Sequence, residues 1–212
     1  MGHVAGQPRM SLIAVIDFET TGLSPAMGDR ATEVAIVLVE NGNVVDRFQS
    51  LMNAGVHIPA FITSLTGISN AMVAAAPDAA RVMLDASRFV GNTPMVAHNA
   101  SFDRRFWQAE LARAGAAAVQ PFACTMLVSR RLYPQASSHK LGVLVDYHQL
   151  PRAGRAHRAL ADAEMAASLL GQIQHDLRTQ HRVGKPDHAL LMNLQRCAKP
   201  AVAALMAKYA SV

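Results

Sequence analysis

The sequence predicts an α/β fold in which a mixed β-sheet is covered by helices. Three observations carry that expectation. The run Leu12-Ile13-Ala14-Val15-Ile16 is wholly apolar, as in a strand buried on both faces. Two β-rich stretches, 32–40 and 43–52, flank Asn41-Gly42, a strong hairpin signal. The chain then turns to a strand–helix alternation that ends in several helices, the order of elements that produces a sheet with helical cover.

Taken in order, the first strand lies near 12–17, and the hairpin supplies the next two. Pro59 and residues 63–69 suggest a loop with a short helix. Residues 77–90 have the spacing of an amphipathic helix, and Pro94-Met95-Val96-Ala97 reads as a further strand. Helices are expected near 101–114, 124–132, 139–148 and 158–178, with Ser101 as N-cap of the first of these. Beyond Leu177 the segment 179–188 is polar, and Lys185-Pro186 argues for a loop. Ala189 to Leu194 begins an apolar helical pattern, and Pro200 separates it from a last helix near 201–209. The expected organisation is a flexible N-terminal segment 1–10, a main domain 11–178 and a helical C-terminal extension 179–212. That extension is expected to pack on the core, with docking of a partner as the alternative.

The chemistry begins where the first strand stops being apolar. Asp17 and Glu19 stand two residues apart, so on a strand their side chains share a face. Like charges side by side at a buried strand repel each other and lose hydration. A hard divalent cation such as Mg²⁺ or Mn²⁺ compensates this, since both favour carboxylate oxygens. A strand ending in solvated acids is the simpler alternative for this stretch alone. The small or hydroxylated Thr20, Thr21 and Gly22 follow, which leaves the backbone open to a ligand.

Two further clusters repeat the theme. His98-Asn99-Ala100-Ser101-Phe102-Asp103 places an acid in the first turn of a helix, a position that dipole compensation alone also favours. His157-Arg158-Ala159-Leu160-Ala161-Asp162 opens a long Ala- and Leu-rich helix. Five residues on a helix is about 140° of rotation, so His157 and Asp162 meet only if His157 sits on the loop before it. The adjacent His175-Asp176 lacks a companion histidine pair and is expected on a solvated helix end.

Composition narrows the partners. The 212 residues carry a formal net charge of +5, a pI near 9.7 and 51% hydrophobic residues, which suits one main domain and a polyanionic substrate. Basic residues are scattered: Arg104-Arg105, Arg130-Arg131, and the group Arg152, Arg155 and Arg158. The last group flanks His157 and is the expected phosphate contact, whereas Arg130-Arg131 is expected to be a solvated helix face. Cys124 and Cys197 have no Cys-x-x-Cys spacing, which fits reduced thiols in a cytoplasmic protein. No run approaches the ~20 apolar residues that span a bilayer, so no membrane partner is expected. No nucleophile elbow or phosphate-binding P-loop is present, and the carboxylate-rich set disfavours zinc.

In order, spacing and flanking residues the three clusters resemble the DEDDh family of 3′–5′ exonucleases, whose superfamily contains the proofreading epsilon subunit of bacterial DNA polymerase III. The resemblance covers about 11–175 and rests on Asp17, Glu19, Thr20, Thr21 and Gly22, on residues 97–103, and on His157-Arg158-Ala159-Leu160 with Asp162. Thr32-Glu33-Val34-Ala35, Leu65-Thr66-Gly67-Ile68 and Cys124-Thr125-Met126 are further signposts.

This resemblance implies a ribonuclease H-like fold. It implies two divalent cations, Mg²⁺ or Mn²⁺, held by Asp17, Glu19, Asp103 and Asp162, with Asp17 bridging them. Such a pair, about 3.5–4 Å apart, stabilises attacking and leaving oxygens at phosphorus. It also implies that His157 takes the proton of the attacking water, and that nucleoside 5′-monophosphates leave from a 3′ end. Thr20, Thr21, Gly22 and Leu23 would meet the terminal nucleotide, and His98, Asn99 and Phe102 would line the cleft. His98 as a core histidine and Phe102 as helix packing remain open alternatives. The expected substrate is DNA, preferably a single-stranded 3′ end, in proofreading or repair. An RNA-trimming exoribonuclease of the ribonuclease T or oligoribonuclease kind is the nearest alternative, and a silent nucleic-acid-binding scaffold the more distant one.

Overall fold

The computed structural model describes residues 12–152 and 154–210; the expected N-terminal segment 1–10 lies outside them. Its centre is a five-stranded mixed sheet of order β3-β2-β1-β4-β5. Strands β1 (Ile13–Thr20), β2 (Ala31–Glu40) and β3 (Asn43–Leu51) form an antiparallel meander. The β2–β3 turn falls at Asn41 and Gly42, both at positive φ, as the hairpin signal requires. Strands β4 (Met95–Ala97) and β5 (Phe122–Cys124) add to the other edge of β1, all parallel.

The strictly alternating pleat of β1 divides the core in two. Ala14, Ile16 and Phe18 point into one apolar cluster with α3 (Ala79–Val90) and α4 (Ala100–Arg113), where Phe106 and Trp107 are fully buried. Ile13 and Val15 point the other way, with Val37 and Val39, onto α7 (Ala159–Thr179) and its neighbours α5 (Thr125–Leu132) and α6 (Leu141–Tyr147). Asp17 and Glu19 continue this second row, so the sheet aims both carboxylates at the N-terminal end of α7. Short helices α1 (Ala60–Thr66) and α2 (Asn70–Ala74) cross between β3 and α3, around a small cluster of Ile58, Ile62, Ile68 and Val73.

Helix α8 (His188–Arg196) lies against the β5 edge and α9 (Val202–Tyr209) follows it, and Leu190, Leu191, Leu194 and Met206 join the α7-side core. The Gln195 amide completes the exposed strand edge: Oε1 accepts the Cys124 N–H at 2.7 Å and Nε2 donates to the Phe122 carbonyl at 3.3 Å. Arg131 donates to the Cys197 carbonyl at 2.6 Å, so only its neighbour Arg130 is solvated. Among the described residues no helix is long and apolar enough to cross a membrane.

Several sequence expectations need correction. Strand β1 runs on to Thr20, because Asp17 and Glu19 keep their pairing with Ala35 and Glu33 before a bulge after Glu19. Helix α4 starts at Ala100 behind Asn99 at φ 71°, a left-handed geometry that asparagine tolerates; Ser101 therefore sits inside the first turn and caps nothing. The three-residue β5 has no separate sequence signal, and only its last residue, Cys124, falls within the helix expected over 124–132. Asp176 is buried rather than solvated, accepting Tyr133 Oη–H at 2.8 Å, Gln172 and Gln180, while His175 is exposed.

Candidate active site

At the carboxyl ends of β1 and β4 a cleft of about 500 Å³ opens, lined by Asp17, His98, Lys140, Asp146, Arg152, His157, Asp162 and Met165. Three elements converge there. β1 brings Asp17, half-buried, and Glu19, buried. The first turn of α4 brings Asp103, 2% exposed. The first turn of α7 brings Asp162, and the loop before it brings His157, exposed and at φ 60°.

That left-handed residue is the device by which His157 and Asp162 meet. The chain reverses so that the His157 N–H donates to Asp162 Oδ2 at 3.0 Å. Ligand atoms of Glu19, His157 and Asp162 all fall within 4.8 Å of one another. Arg155, two residues earlier, lies over Gly67, where an added Cβ would stand 2.6 Å from its guanidinium. Gly67 has φ 76°, so glycine is favoured there by conformation.

The carboxylates perturb one another as close acids must. Burial, then Asp103, Asp162, Glu19 and Glu33, raise Asp17 well above the ordinary carboxyl range. Burial, then Asp162 and Glu33, push Glu19 up to about 8. Burial pushes Asp103 to about 8 as well, although backbone N–H groups oppose it. Asp162 is also raised by burial, against the pull of the His157 N–H. This is an oxygen-rich, uncompensated negative site, and its donor set fits a hard divalent cation.

Glu33 was legible only as a flanking signpost, yet it sits in register opposite Glu19 with no exposed surface. Burial alone would raise it; hydrogen bonds from Arg158, Gln49 and the Ala159 N–H hold it below the usual glutamate range. Arg158 is therefore turned inward, donating to Glu33 from Nε at 3.0 Å and from Nη2 at 2.8 Å. Arg152 is clasped by Asp146 through three short bonds. The expectation that 152, 155 and 158 act together as phosphate contacts is thereby narrowed: carboxylates hold the guanidinium groups of Arg152 and Arg158, whereas Arg155 is exposed beside the Gly67 turn. Lys140, which had no sequence signal, lines the cleft alongside Arg152.

The remaining expected residues are distributed unevenly. The Thr20 hydroxyl donates to the Gly22 carbonyl at 2.6 Å, and the Thr21 hydroxyl accepts the Arg30 N–H at 3.0 Å, so both shape the turn after β1. Leu23 at its tip is 78% exposed. His98 lines the cleft yet has both ring nitrogens occupied, by Thr125 Oγ1 and the His139 carbonyl, each at 2.9 Å. Burial drives its pKa down to about 4, which makes it a neutral structural histidine. Asn99 is exposed, and half-buried Phe102 stacks on Phe106 with ring centres 4.9 Å apart.

With the geometry in view, comparison with known proteins defines the class. A sequence profile of the Exonuclease family matches residues 14–170, and the chain belongs to that family of phosphodiester-cleaving enzymes. Among curated relatives, the 3′-5′ exonuclease DinG of Bacillus subtilis is 39% identical over 168 residues, which is 77% of this chain and 18% of that protein. The PolC-type DNA polymerase III of Caldanaerobacter subterraneus is 34% identical over 169 residues, 78% of this chain and 12% of that one. The chain thus spans under a fifth of either relative. Among solved structures, exonuclease X in complex with 5′-overhanging duplex DNA has a TM-score of 0.64 at 27% identity, covering 92% of this chain and 99% of that one. The nuclease domain of 3′hExo, a DEDDh family member bound to rAMP, has a TM-score of 0.68 at 19% identity over 79% of this chain and 93% of that one. It shares the fold, a ribonuclease H-like mixed sheet with helical cover.

Proposed function

We propose that this chain is a metal-dependent 3′–5′ exonuclease that removes nucleoside 5′-monophosphates from single-stranded 3′ ends of DNA. The observation that carries the reading is the convergence of Glu19, His157 and Asp162 within 4.8 Å, in the cleft that Asp17 also lines. Asp17, Glu19, Asp103 and Asp162 would hold two divalent cations, Mg²⁺ or Mn²⁺. When bound, these supply neutralisation of the scissile phosphate and acidification of the attacking water.

This chain's own residues do the rest. His157, exposed at the mouth and tethered through its backbone to Asp162, accepts the proton of the water that attacks phosphorus. The new P–O bond forms as the P–O3′ bond breaks, and the released 3′-hydroxyl takes up a proton. Thr20, Thr21 and Gly22 shape the pocket for the terminal nucleotide, and exposed Leu23 offers an apolar contact to its base. His98 holds the cleft wall, and Asn99 and Phe102, which follow it at the start of α4, would meet the substrate there. The catalytic unit is 11–178, with 179–212 as a helical extension. Kinship with polymerase and DinG sequences supports a role in cytoplasmic DNA proofreading or repair, with a DNA polymerase subunit as a candidate partner.

The test is a gel of 5′-labelled single-stranded DNA and RNA with Mg²⁺, Mn²⁺ or EDTA. The proposal expects DNA shortened from its 3′ end, silence in EDTA, and no hydrolysis by Asp17→Ala with its fold intact. Selective shortening of RNA would replace DNA as the substrate, and full activity of Asp17→Ala would remove this site from the chemistry.

A further inference from the structure

We propose that Glu33 is a positioning residue for this site: by locking Arg158 and the first turn of α7, it sets the loop that carries His157 and stays out of the ligand set itself. The inference rests on the exonuclease reading of the cleft.

Antiparallel partners share a sheet face, so the Glu19–Glu33 register makes Glu33 a fifth carboxylate on the face that already carries Asp17 and Glu19. Its position alone would make it a ligand. Its hydrogen bonds prevent that. Oε1 accepts from Gln49 Nε2 and Arg158 Nη2, both at 2.8 Å, and Oε2 from Arg158 Nε at 3.0 Å and the Ala159 N–H at 3.1 Å. Four donors fill the four lone-pair positions of a carboxylate.

The same bonds do mechanical work. Helix α7 has no side-chain cap from its own N-cap residue, Arg158. Glu33 supplies that cap from another strand, taking the free Ala159 N–H and, through the planar fork, the side chain of the preceding residue. His157 is the next residue back, and Asp162 lies one turn on. Both are therefore referenced to β2, whose register with β1 also places Glu19. Removing the clamp frees a guanidinium beside Glu19 and releases the His157 loop together.

Mn²⁺ binding followed by electron paramagnetic resonance, with hydrolysis of the p-nitrophenyl ester of thymidine 5′-monophosphate alongside, separates these roles. Glu33→Gln keeps the shape but turns a donor toward Arg158. We expect Mn²⁺ affinity and kcat each to fall about 10- to 100-fold, with KM for the small ester unchanged. Arg158→Gln leaves Glu33 bare beside Glu19, so Mn²⁺ should bind at least as tightly with an altered spectrum while kcat falls. The double variant Glu33→Gln/Arg158→Gln restores charge balance and should recover Mn²⁺ affinity above that of Glu33→Gln alone. A merely structural role predicts additive losses of stability and unchanged Mn²⁺ binding in whatever folds.

If wild type binds Mn²⁺ and both single variants bind it identically, the positioning role is wrong while the reading of the cleft stands. If wild type binds no Mn²⁺, the reading of the cleft fails and the positioning role with it. Should Glu33→Gln fail to fold, Arg158→Gln alone decides: an unchanged spectrum and kcat overturn the proposal.

Discussion

Glu19→Gln should make the metal-free protein more stable at pH 8.5, although it removes a buried residue's natural charge. Glu19 and Asp162 present oxygens within 4.8 Å of each other. At an effective dielectric of about 20, two unit charges at that separation repel by about 3.5 kcal/mol. Wild type escapes part of this by holding a proton, since burial and Asp162 push Glu19 up to about 8. The sign follows from linkage. A folded-state pKa above the unfolded one means that the folded protein binds the proton more tightly. That stability is complete below the ordinary glutamate range and is lost as pH rises through about 8. Glutamine removes the loss without changing the shape. Allowing for the fraction still protonated, the expected gain is about 2 kcal/mol, or ~4–8 °C in Tm for a chain of this size. The assay is differential scanning fluorimetry in EDTA at pH 6 and 8.5, with and without saturating Mn²⁺. Wild type should melt lower at pH 8.5 than at pH 6 and be rescued by Mn²⁺; Glu19→Gln should lose most of both dependences. If it melts below wild type in EDTA at pH 8.5, the carboxylates are not repelling one another and the ion-binding argument collapses.

Three further outcomes follow from the same geometry. His157→Ala should lower kcat by about 10²–10⁴, the usual scale for a lost general base. Calorimetric titration with Mn²⁺ should leave its affinity near wild type; a lost binding isotherm would make His157 a ligand instead. Gly22→Ala drives a Cβ into the Asp29 carboxylate, which must swing away and release the Ser24 N–H that its Oδ2 accepts. Steady-state kinetics should show KM raised more than kcat is lowered, and an unchanged KM would detach this turn from substrate binding. Asp176→Ala leaves the buried Tyr133 hydroxyl and two glutamine amides without their acceptor. Urea denaturation should report a loss of about 1–3 kcal/mol. Turnover per folded molecule should stay constant, and a loss of turnover would tie this network to the cleft.

What the sequence disclosed, and what it withheld, divides along a physical line. Strand alternation put Asp17 and Glu19 on one face before any coordinates, because the period of a strand is fixed. The Asn41-Gly42 turn was legible because few residues accept its dihedral angles. Convergence of His157 with Asp162 depended on one left-handed residue in a loop. Local pattern could state that condition but not its fulfilment. Glu33 and Arg158 were beyond reach as a pair, being 125 residues apart and joined only through the β1–β2 register and the docking of α7. Arg152 and Arg158 misled for the same reason: a cluster in sequence gives charge density, whereas direction comes from the acid that tertiary structure sets beside each guanidinium. β5 escaped notice because three residues are too few to show a period, and it is held by its parallel neighbour and by Gln195.

The placement of the cleft follows from the sheet's topology. β1 is the strand at which direction changes, antiparallel to β2 on one side and parallel to β4 on the other. In sheets containing parallel strands, ligand sites form beyond the carboxyl ends, where successive connections part to opposite faces. Here the chain leaving β4 enters α4 on one face, and α7 covers the other. Asp103 and Asp162 thus approach the end of β1 from opposite layers. Four acids from three elements can then share one focus, and their mutual repulsion is carried by two separately packed cores rather than by one loop. That division is why removing a single carboxylate should relax the structure rather than unravel it.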